Sequence, residues 1–129
     1  MTPELTVLAL AGLLQCAQFA LFSVAANRQV GPKAAMGPRD APIHLSGLAG
    51  RFQRALNNHF EGLILFTLAV VVVTLSDQST PFTQTCAWVY LAARLLYVPA
   101  YAAGLAPWRS LVWFTGFLAT AAMITSTLI

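Results

Sequence analysis

The chain of 129 residues alternates between long apolar stretches and short polar segments. Charged side chains are absent from residues 5–27, 62–76, 78–93, 95–108 and 110–129. A helix that crosses a bilayer needs about 20 mostly apolar residues. The first and last stretches are long enough by themselves. The remaining stretches give two further helices of sufficient length if one helix carries His59 and Glu61 and another carries Arg94. The pattern predicts an all-α, integral membrane four-helix bundle, with helices at about 3–27, 46–75, 82–104 and 110–129.

Helix-breaking residues mark the connections between these helices. Three pairs make the first connection the one substantial loop: Gly31-Pro32, Gly37-Pro38 and Ala41-Pro42. Residues 76–81 predict a short polar turn, and residues 106–109 predict a tight return before the fourth helix. Four membrane helices fill the chain, so residues 1–129 are expected to form a single domain.

Composition and charge place the chain in the membrane class. It is 58% hydrophobic and 9% charged, whereas soluble domains carry about 25% charged residues. The net charge is +3, and every Lys and Arg except Arg94 lies in or beside the first and third connections: Arg28, Lys33, Arg39, Arg51, Arg54 and Arg109. The positive-inside rule therefore predicts that these connections face the cytoplasm and that both termini lie outside. No nucleic-acid partner is needed to explain these basic residues.

Four polar side chains lead into the apolar run of the second helix, at relative positions 0, 3, 7 and 10: Arg51, Arg54, Asn58 and Glu61. At about 100° per residue they fall within an arc of roughly 80° on one helical face. Charged groups on a helix that enters a bilayer usually face a bundle interior or a wet cavity, because lipid exposure is costly. This stripe suits a small zwitterionic ligand. The alternative is that the arginines anchor the helix at the headgroups and Glu61 pairs with a neighbour.

A second polar stripe lies on the third helix, where Tyr90, Tyr97 and Tyr101 flank Arg94 within roughly 60° of arc. An arginine this deep costs at least about 2.5 to 3.5 kcal/mol on insertion scales, so it needs a partner. Glu61 is the only acid inside a predicted span, and the expected contact is therefore Arg94–Glu61. Such a pair serves a structural role and a ligand site equally well, whereas three tyrosines favour a polar groove.

Arg109 follows Pro107 and Trp108 at the start of the predicted fourth helix. Judged alone, it is an anchor at the cytoplasmic surface, and its chemical alternative is to hold a thiolate. A cation close to a thiol favours the charged form and lowers the pKa of the thiol. Cys16 and Cys86 lie inside predicted spans as small apolar fillers, and no metal-binding spacing is present.

The segment 51–61 reads Arg-Phe-Gln-Arg-Ala-Leu-Asn-Asn-His-Phe-Glu. Its Arg-x-x-Arg-Ala-x-x-Asn-x-x-Glu spacing resembles the signature of the MAPEG family, the membrane-associated proteins of eicosanoid and glutathione metabolism. Arg94-x-x-Tyr97-x-x-x-Tyr101, followed by Pro107-Trp-Arg109-Ser, is similar to the third-helix segment of that family. Gly37-Pro-Arg-Asp40 looks like the bacterial branch, which implies a bacterial inner membrane.

The resemblance covers the whole chain and implies a homotrimer that binds glutathione, as a cosubstrate, in grooves between subunits. Known members are glutathione transferases, glutathione peroxidases, and the leukotriene- and prostaglandin-forming synthases. Carried over by position, the glutathione-contacting residues are Arg51, Arg54, Asn58, Glu61, Arg94, Tyr97 and Tyr101, with Arg28 reaching a neighbouring subunit. The resemblance also implies that Arg109 stabilises the glutathione thiolate, with help from Tyr97 or Tyr101.

The expected function is that of a membrane glutathione transferase or peroxidase acting on hydrophobic electrophiles. Its expected partners are copies of itself, the lipid bilayer and the electrophile. Two other functions remain open. A small proton-coupled exporter would use Glu61 as its titrating carboxylate, and a non-catalytic membrane scaffold would fit the same fold.

Overall fold

A computed structural model describes residues 1–31, 33, 37 and 45–129. This part of the chain forms four helices: α1 (Pro3–Val30), α2 (Gly47–Leu75), α3 (Pro81–Ala102) and α4 (Ala106–Ser126). The described residues contain no β-strand. The prediction of an all-α fold with four helices is therefore confirmed for this part of the chain. Beyond Gly37, the motif that resembles the bacterial branch lies outside the described residues.

Threonine and proline residues define where α1 and α3 begin. Pro3 lies in the first turn of α1, and the hydroxyl of Thr2 accepts a hydrogen bond from the Leu5 amide at 3.4 Å. At the start of α3, the Thr80 amide donates to the Thr83 hydroxyl at 2.9 Å, and the Thr83 amide donates to the Thr80 hydroxyl at 3.2 Å. These bonds satisfy amides that have no partner within the first turn of a helix.

The fourth helix begins earlier than the sequence predicts. It starts at Ala106 rather than near residue 110, and the chain reverses at residues 103–105 rather than at 106–109. Pro107 explains the difference, because a proline in the first helical turn loses no hydrogen bond and has the backbone angle that the helix needs. Arg109 therefore projects from the first turn of α4 and not from a loop.

The four helices pack so that α2 and α3 contact each other and both remaining helices, whereas α1 and α4 share no contact in the described part. The apolar core lies toward the α2–α3 turn, at what we call the core end: Val7, Ala11, Phe66, Ala69, Val70, Val73, Cys86, Ala87, Tyr90, Leu91, Ala119 and Met123. The rings of Phe66 and Tyr90 stack there with centroids 4.0 Å apart. The opposite end, toward the α3–α4 turn, holds the predicted site residues, and we call it the polar end.

Large apolar side chains are exposed on every helix of the bundle, including Leu13, Ile64, Leu96 and Leu118. Extensive exposed apolar surface marks contact with lipid or with other protein. By length and composition, α1 and α2 are able to cross a membrane, at 28 and 29 residues. That α3 and α4 also cross the membrane stays a prediction.

Glu4, at the start of α1, is fully buried among hydroxyl groups at the core end. The Ser79 hydroxyl lies 2.9 and 3.0 Å from the two carboxylate oxygens, and the Thr83 hydroxyl donates to Oε1 at 2.5 Å. Thr83 belongs to the first turn of α3, where the helix dipole also favours a negative charge. Glu4 thus joins the start of α1 to the start of α3.

Replacing Glu4 with Ala is expected to lower the free energy of unfolding by about 1 to 3 kcal/mol, because the buried Thr83 hydroxyl and the half-buried Ser79 hydroxyl lose a charged acceptor. Glu4→Gln keeps one acceptor oxygen and should cost less. The measurement is the thermal unfolding midpoint in detergent. Asp77→Asn is the matched control, since it removes an exposed carboxylate at a positive φ of 54 that Asn tolerates. An equal midpoint for Glu4→Ala and Asp77→Asn would contradict the role of Glu4.

Candidate functional site

Arg54 and Arg109 converge on Tyr101 at the polar end. From α2, Nε of Arg54 donates to the Tyr101 hydroxyl at 2.9 Å. From α4, the guanidinium of Arg109 lies over the Tyr101 ring, 4.7 Å from its centroid. A cation over an aromatic face is attracted by the quadrupole of the ring. Tyr101 therefore connects an arginine of α2 with an arginine of α4.

Arg94 lies deeper in the bundle and is only 2% exposed. Its Nη1 donates to Oδ1 of Asn58 at 2.9 Å, and its guanidinium lies over the Tyr97 ring at 4.5 Å. Its Nε and Nη2 atoms are buried and have no hydrogen-bond partner. A buried cation with free donors is costly unless acceptors are supplied, so this side chain is prepared for an anionic or strongly polar group.

A cavity of about 200 Å³ opens beside Arg94. Its walls come from α2, α3 and α4: Asn58, Glu61, Gly62, Leu65, Tyr90, Arg94, Trp113, Gly116, Phe117 and Thr120. The hydroxyl of Tyr90 is buried and has no hydrogen-bond partner. The cavity is therefore bordered by a carboxylate, an incompletely paired guanidinium and a free phenol, within otherwise largely apolar walls.

The prediction of a direct contact between Arg94 and Glu61 is wrong. Arg94 instead contacts Asn58, one helical turn before Glu61, and the remaining guanidinium nitrogens have no partner. Glu61 is exposed at the surface of the protomer and borders the same cavity. The register of α2 against α3 brings the amide to the buried guanidinium, and this leaves the carboxylate free for another partner.

Of the predicted ligand residues, Asn58, Glu61 and Arg94 line this cavity, whereas Arg28, Arg51, Arg54, Tyr97 and Tyr101 do not. Arg51 is exposed, and its Nη1 donates to the carbonyl oxygen of Ala102 at 3.0 Å, at the end of α3. Arg28 is exposed in the last turn of α1 and borders an apolar groove with Leu48 and Phe52. Within one protomer, the structure brings together Arg54, Asn58, Glu61, Arg94, Tyr97, Tyr101 and Arg109, but neither Arg51 nor Arg28.

A wider groove of about 620 Å³ lies beside Arg109 at the surface of the bundle. Its lining is mostly apolar and comes from α3 and the first two turns of α4: Tyr97, Pro107, Arg109, Ser110, Leu111, Trp113 and Phe114. The groove thus places an arginine next to apolar and aromatic surface. An apolar molecule in this groove would lie beside the Arg109 guanidinium.

A polar contact between α1 and α2 was not predicted from the sequence. His59 is fully buried, and its Nδ1 lies 2.7 Å from Oε1 of Gln15. Gln18, about one turn further along α1, is also buried. The signal was available, because two glutamines three residues apart in an otherwise apolar helix are costly in a bilayer and so indicate an interior contact.

The fold and the site define a helical protein with membrane-length apolar helices and a cationic site at one end of the bundle. A profile of the MAPEG family matches residues 5–129, essentially the whole chain. The chain belongs to the MAPEG family, which is associated with glutathione metabolism, and the predicted membership is confirmed. No curated protein matches the sequence significantly.

Proposed function

We propose that the protein is a membrane glutathione-dependent transferase or peroxidase that acts on hydrophobic electrophiles. The observation that carries the proposal is the buried, incompletely paired Arg94 beside a cavity that it shares with Glu61. Arg54 and Arg109 add two further cations at the same end of the bundle. This excess of positive charge suits glutathione, which has two carboxylates and one ammonium group.

The charges of the site suggest which group of glutathione each residue binds. Arg54 and Arg94 bind its carboxylates, and Glu61 binds its ammonium group. Asn58 holds Arg94 through the hydrogen bond from Nη1 and so fixes the direction of the free Nε and Nη2 donors. Charge-assisted hydrogen bonds of this kind are shorter and stronger than neutral ones. Arg28 contributes from a neighbouring subunit of the proposed trimer.

The thiol of glutathione lies beside Arg109, whose positive charge stabilises the thiolate, and Tyr97 or Tyr101 donates a hydrogen bond to the sulfur. The electrophile enters along the apolar groove next to Arg109. In the transferase reaction, sulfur bonds to carbon and the leaving group departs with its electron pair. In the peroxidase reaction, sulfur attacks one peroxide oxygen, the O–O bond breaks to release the alcohol, and the resulting sulfenic acid reacts with a second glutathione to give the disulfide and water. Catalysis rests on positioning and electrostatic stabilisation.

The direct test is the reaction of purified protein with glutathione and a chlorinated nitroarene, and separately with a lipid hydroperoxide. Formation of the arene conjugate supports the transferase, and formation of glutathione disulfide supports the peroxidase. Heat-denatured protein is the control for the uncatalysed reaction. Rates equal to this control with both substrates would contradict the proposed activity.

The protein is expected to form a homotrimer, with the polar-striped helix α2 near the three-fold axis. Arg54 and Glu61 are exposed on the protomer, as are the apolar side chains of Phe60 and Ile64 on the same helix. Charged groups within a membrane usually face the interior of a bundle, so further helices should cover this face. Mass measurement in mild detergent should give three copies. A monodisperse monomer or dimer would contradict this assembly.

Both termini are expected to lie outside the membrane, and the connection between α1 and α2 inside the cytoplasm, because of the distribution of Lys and Arg. Cysteines introduced at Gln78 and Lys33, in a background without Cys16 and Cys86, report the two sides. In sealed cells an impermeant thiol reagent should label position 78 only, and position 33 should need permeabilisation. Labelling of both positions in sealed cells would rule out this orientation.

A further inference from the structure

The end of α3 is closed by a tight backbone turn. The amides of Gly104 and Leu105 donate to the carbonyl oxygens of Tyr101 and Ala100 at 3.0 and 2.9 Å, and Gly104 has a φ of 72. This is the Schellman arrangement, in which a glycine in the left-handed conformation ends a helix. The turn supplies no backbone donor to the carbonyl of Ala102, the last residue of α3. That oxygen is therefore free to accept a hydrogen bond from another donor.

Arg51 of α2 supplies this donor. Its Nη1 donates to the Ala102 oxygen at 3.0 Å. The same guanidinium lies against Gly104, where a Cβ would come within 3.2 to 3.4 Å of three of its atoms. A cation at the C-terminal end of a helix also interacts favourably with the helix dipole. One side chain of α2 therefore satisfies the last carbonyl of α3 and packs on the glycine of the turn.

The α3–α4 turn determines the position of Arg109. Arg109 is in the first turn of α4, and its amide donates to the Leu105 carbonyl at 3.0 Å. Its guanidinium lies over the Tyr101 ring, and the Tyr101 hydroxyl is held by Arg54, one helical turn after Arg51. Two arginines on one face of α2 therefore hold the surroundings of Arg109: Arg51 contacts the α3–α4 turn, and Arg54 contacts Tyr101.

We propose that Arg51 is a positioning residue for Arg109. Arg51 fixes the α3–α4 turn against α2 and does not contact glutathione. Its effect on catalysis rests on the proposed function, whereas its effect on the turn is independent of any ligand. Lysine keeps the charge but is a poor substitute, because it lacks the planar group that packs on Gly104 while donating to Ala102.

Amide hydrogen exchange of residues 103–109, measured without glutathione, tests the effect on the turn. Arg51→Gln is expected to raise the exchange rate about tenfold or more, because a charge-assisted hydrogen bond and its packing are lost. Lys33→Gln removes one exposed charge elsewhere and should match the wild type. Arg51→Lys should lie between them. Equal exchange in Arg51→Gln and the wild type would overturn the proposal, whether or not glutathione binds.

Gly104→Ala tests the same contact from the other side, because it keeps Arg51. The added Cβ would stand 3.2 Å from the guanidinium, at a φ that favours glycine. It should therefore speed exchange in the turn as Arg51→Gln does. Gly31→Ala is the matched control, since Gly31 also ends a helix at a left-handed φ, 84°, and a Cβ there meets nothing within 4 Å. If Gly104→Ala speeds exchange at the end of α3 no more than Gly31→Ala speeds it at the end of α1, the result would also count against the proposal.

Kinetics separate a positioning role from ligand binding. Arg51→Gln is expected to lower kcat about tenfold or more while the Kd for glutathione stays within about twofold, because a misplaced Arg109 affects the reactive thiolate. A Kd raised as much as in Arg54→Leu would overturn the proposal and make Arg51 a ligand residue. Absence of glutathione binding in the wild type would refute the proposed function, and the exchange measurements would then decide the role of Arg51.

Discussion

Glutathione affinity is expected to fall at least about 30-fold in Glu61→Gln and in Arg54→Leu, because each change leaves an opposite charge of the ligand unpaired in the site. Glu61 is the acid that borders the cavity beside Arg94, so it is the residue available to an ammonium group. Arg54 already uses Nε for the Tyr101 hydroxyl, which leaves the rest of its guanidinium for a carboxylate. Neither replacement removes a side chain of the apolar core.

The measurement is equilibrium binding of glutathione to the purified variants. Asp77→Asn controls for Glu61→Gln and Lys33→Leu for Arg54→Leu, because each removes one exposed charge that borders neither the cavity nor the groove. Unchanged affinity in both site variants would exclude this site. An exporter that uses Glu61 would give a different result, namely loss of transport in Glu61→Gln with no glutathione binding in the wild type.

Turnover is expected to fall about 100-fold or more in Arg109→Ser, while glutathione affinity changes by no more than about threefold. Arg109 is held over the Tyr101 ring beside the apolar groove. In the proposed mechanism, the electrophile meets the thiolate in this groove. The guanidinium interacts strongly with a thiolate and only weakly with a neutral thiol. An interaction made mainly with the reactive form affects kcat more than ground-state binding.

The pH dependence of kcat should shift in a definite direction in Arg109→Ser. In the proposed mechanism the cation of Arg109 lowers the pKa of the bound thiol, so its removal should raise that pKa and shift the rise of kcat to higher pH. Ultraviolet absorbance of the bound thiolate against pH measures the shift directly, and Arg109→Lys, which keeps the charge, should shift least. If Arg109→Ser keeps the wild-type thiolate pKa and rate, Arg109 is a surface anchor, and Tyr97 or Tyr101 becomes the next candidate.

The helices were predictable because their signal is local. Apolar stretches of spanning length and polar breaks between them predicted four helices, and α2 begins at Gly47 and ends at Leu75, close to the predicted range. The start of α4 was predicted too late, because Pro107 and Arg109 were interpreted as parts of a loop. Both residues are compatible with a first helical turn, and only the course of the backbone at residues 103–105 shows that the helix begins there.

The site was predictable only as two polar faces. Helical periodicity placed Arg54 and Asn58 on one face of α2 and Arg94 and Tyr101 on one face of α3, and these residues meet in pairs. Periodicity does not fix the register between two helices. For this reason the sequence paired Arg94 with Glu61, whereas Asn58 lies opposite the guanidinium.

Contacts between a side chain and the backbone of another helix could not be predicted from the sequence. The role of Arg51 at the end of α3 depends on a free carbonyl oxygen at Ala102, which no side-chain pattern reveals. The part of α4 in the cavity wall, at Gly116 and Thr120, depends on which face of α4 turns toward α2 and α3.

Binding of labelled glutathione to the purified wild-type protein tests the central claim most directly. The site predicts saturable binding that is displaced by unlabelled glutathione and by γ-glutamyl-seryl-glycine, because this analogue keeps both carboxylates and the ammonium group and lacks only the thiol. No saturable binding at millimolar glutathione, in protein that is folded and assembled, would contradict the claim that Arg94, Glu61 and Arg54 form a glutathione site.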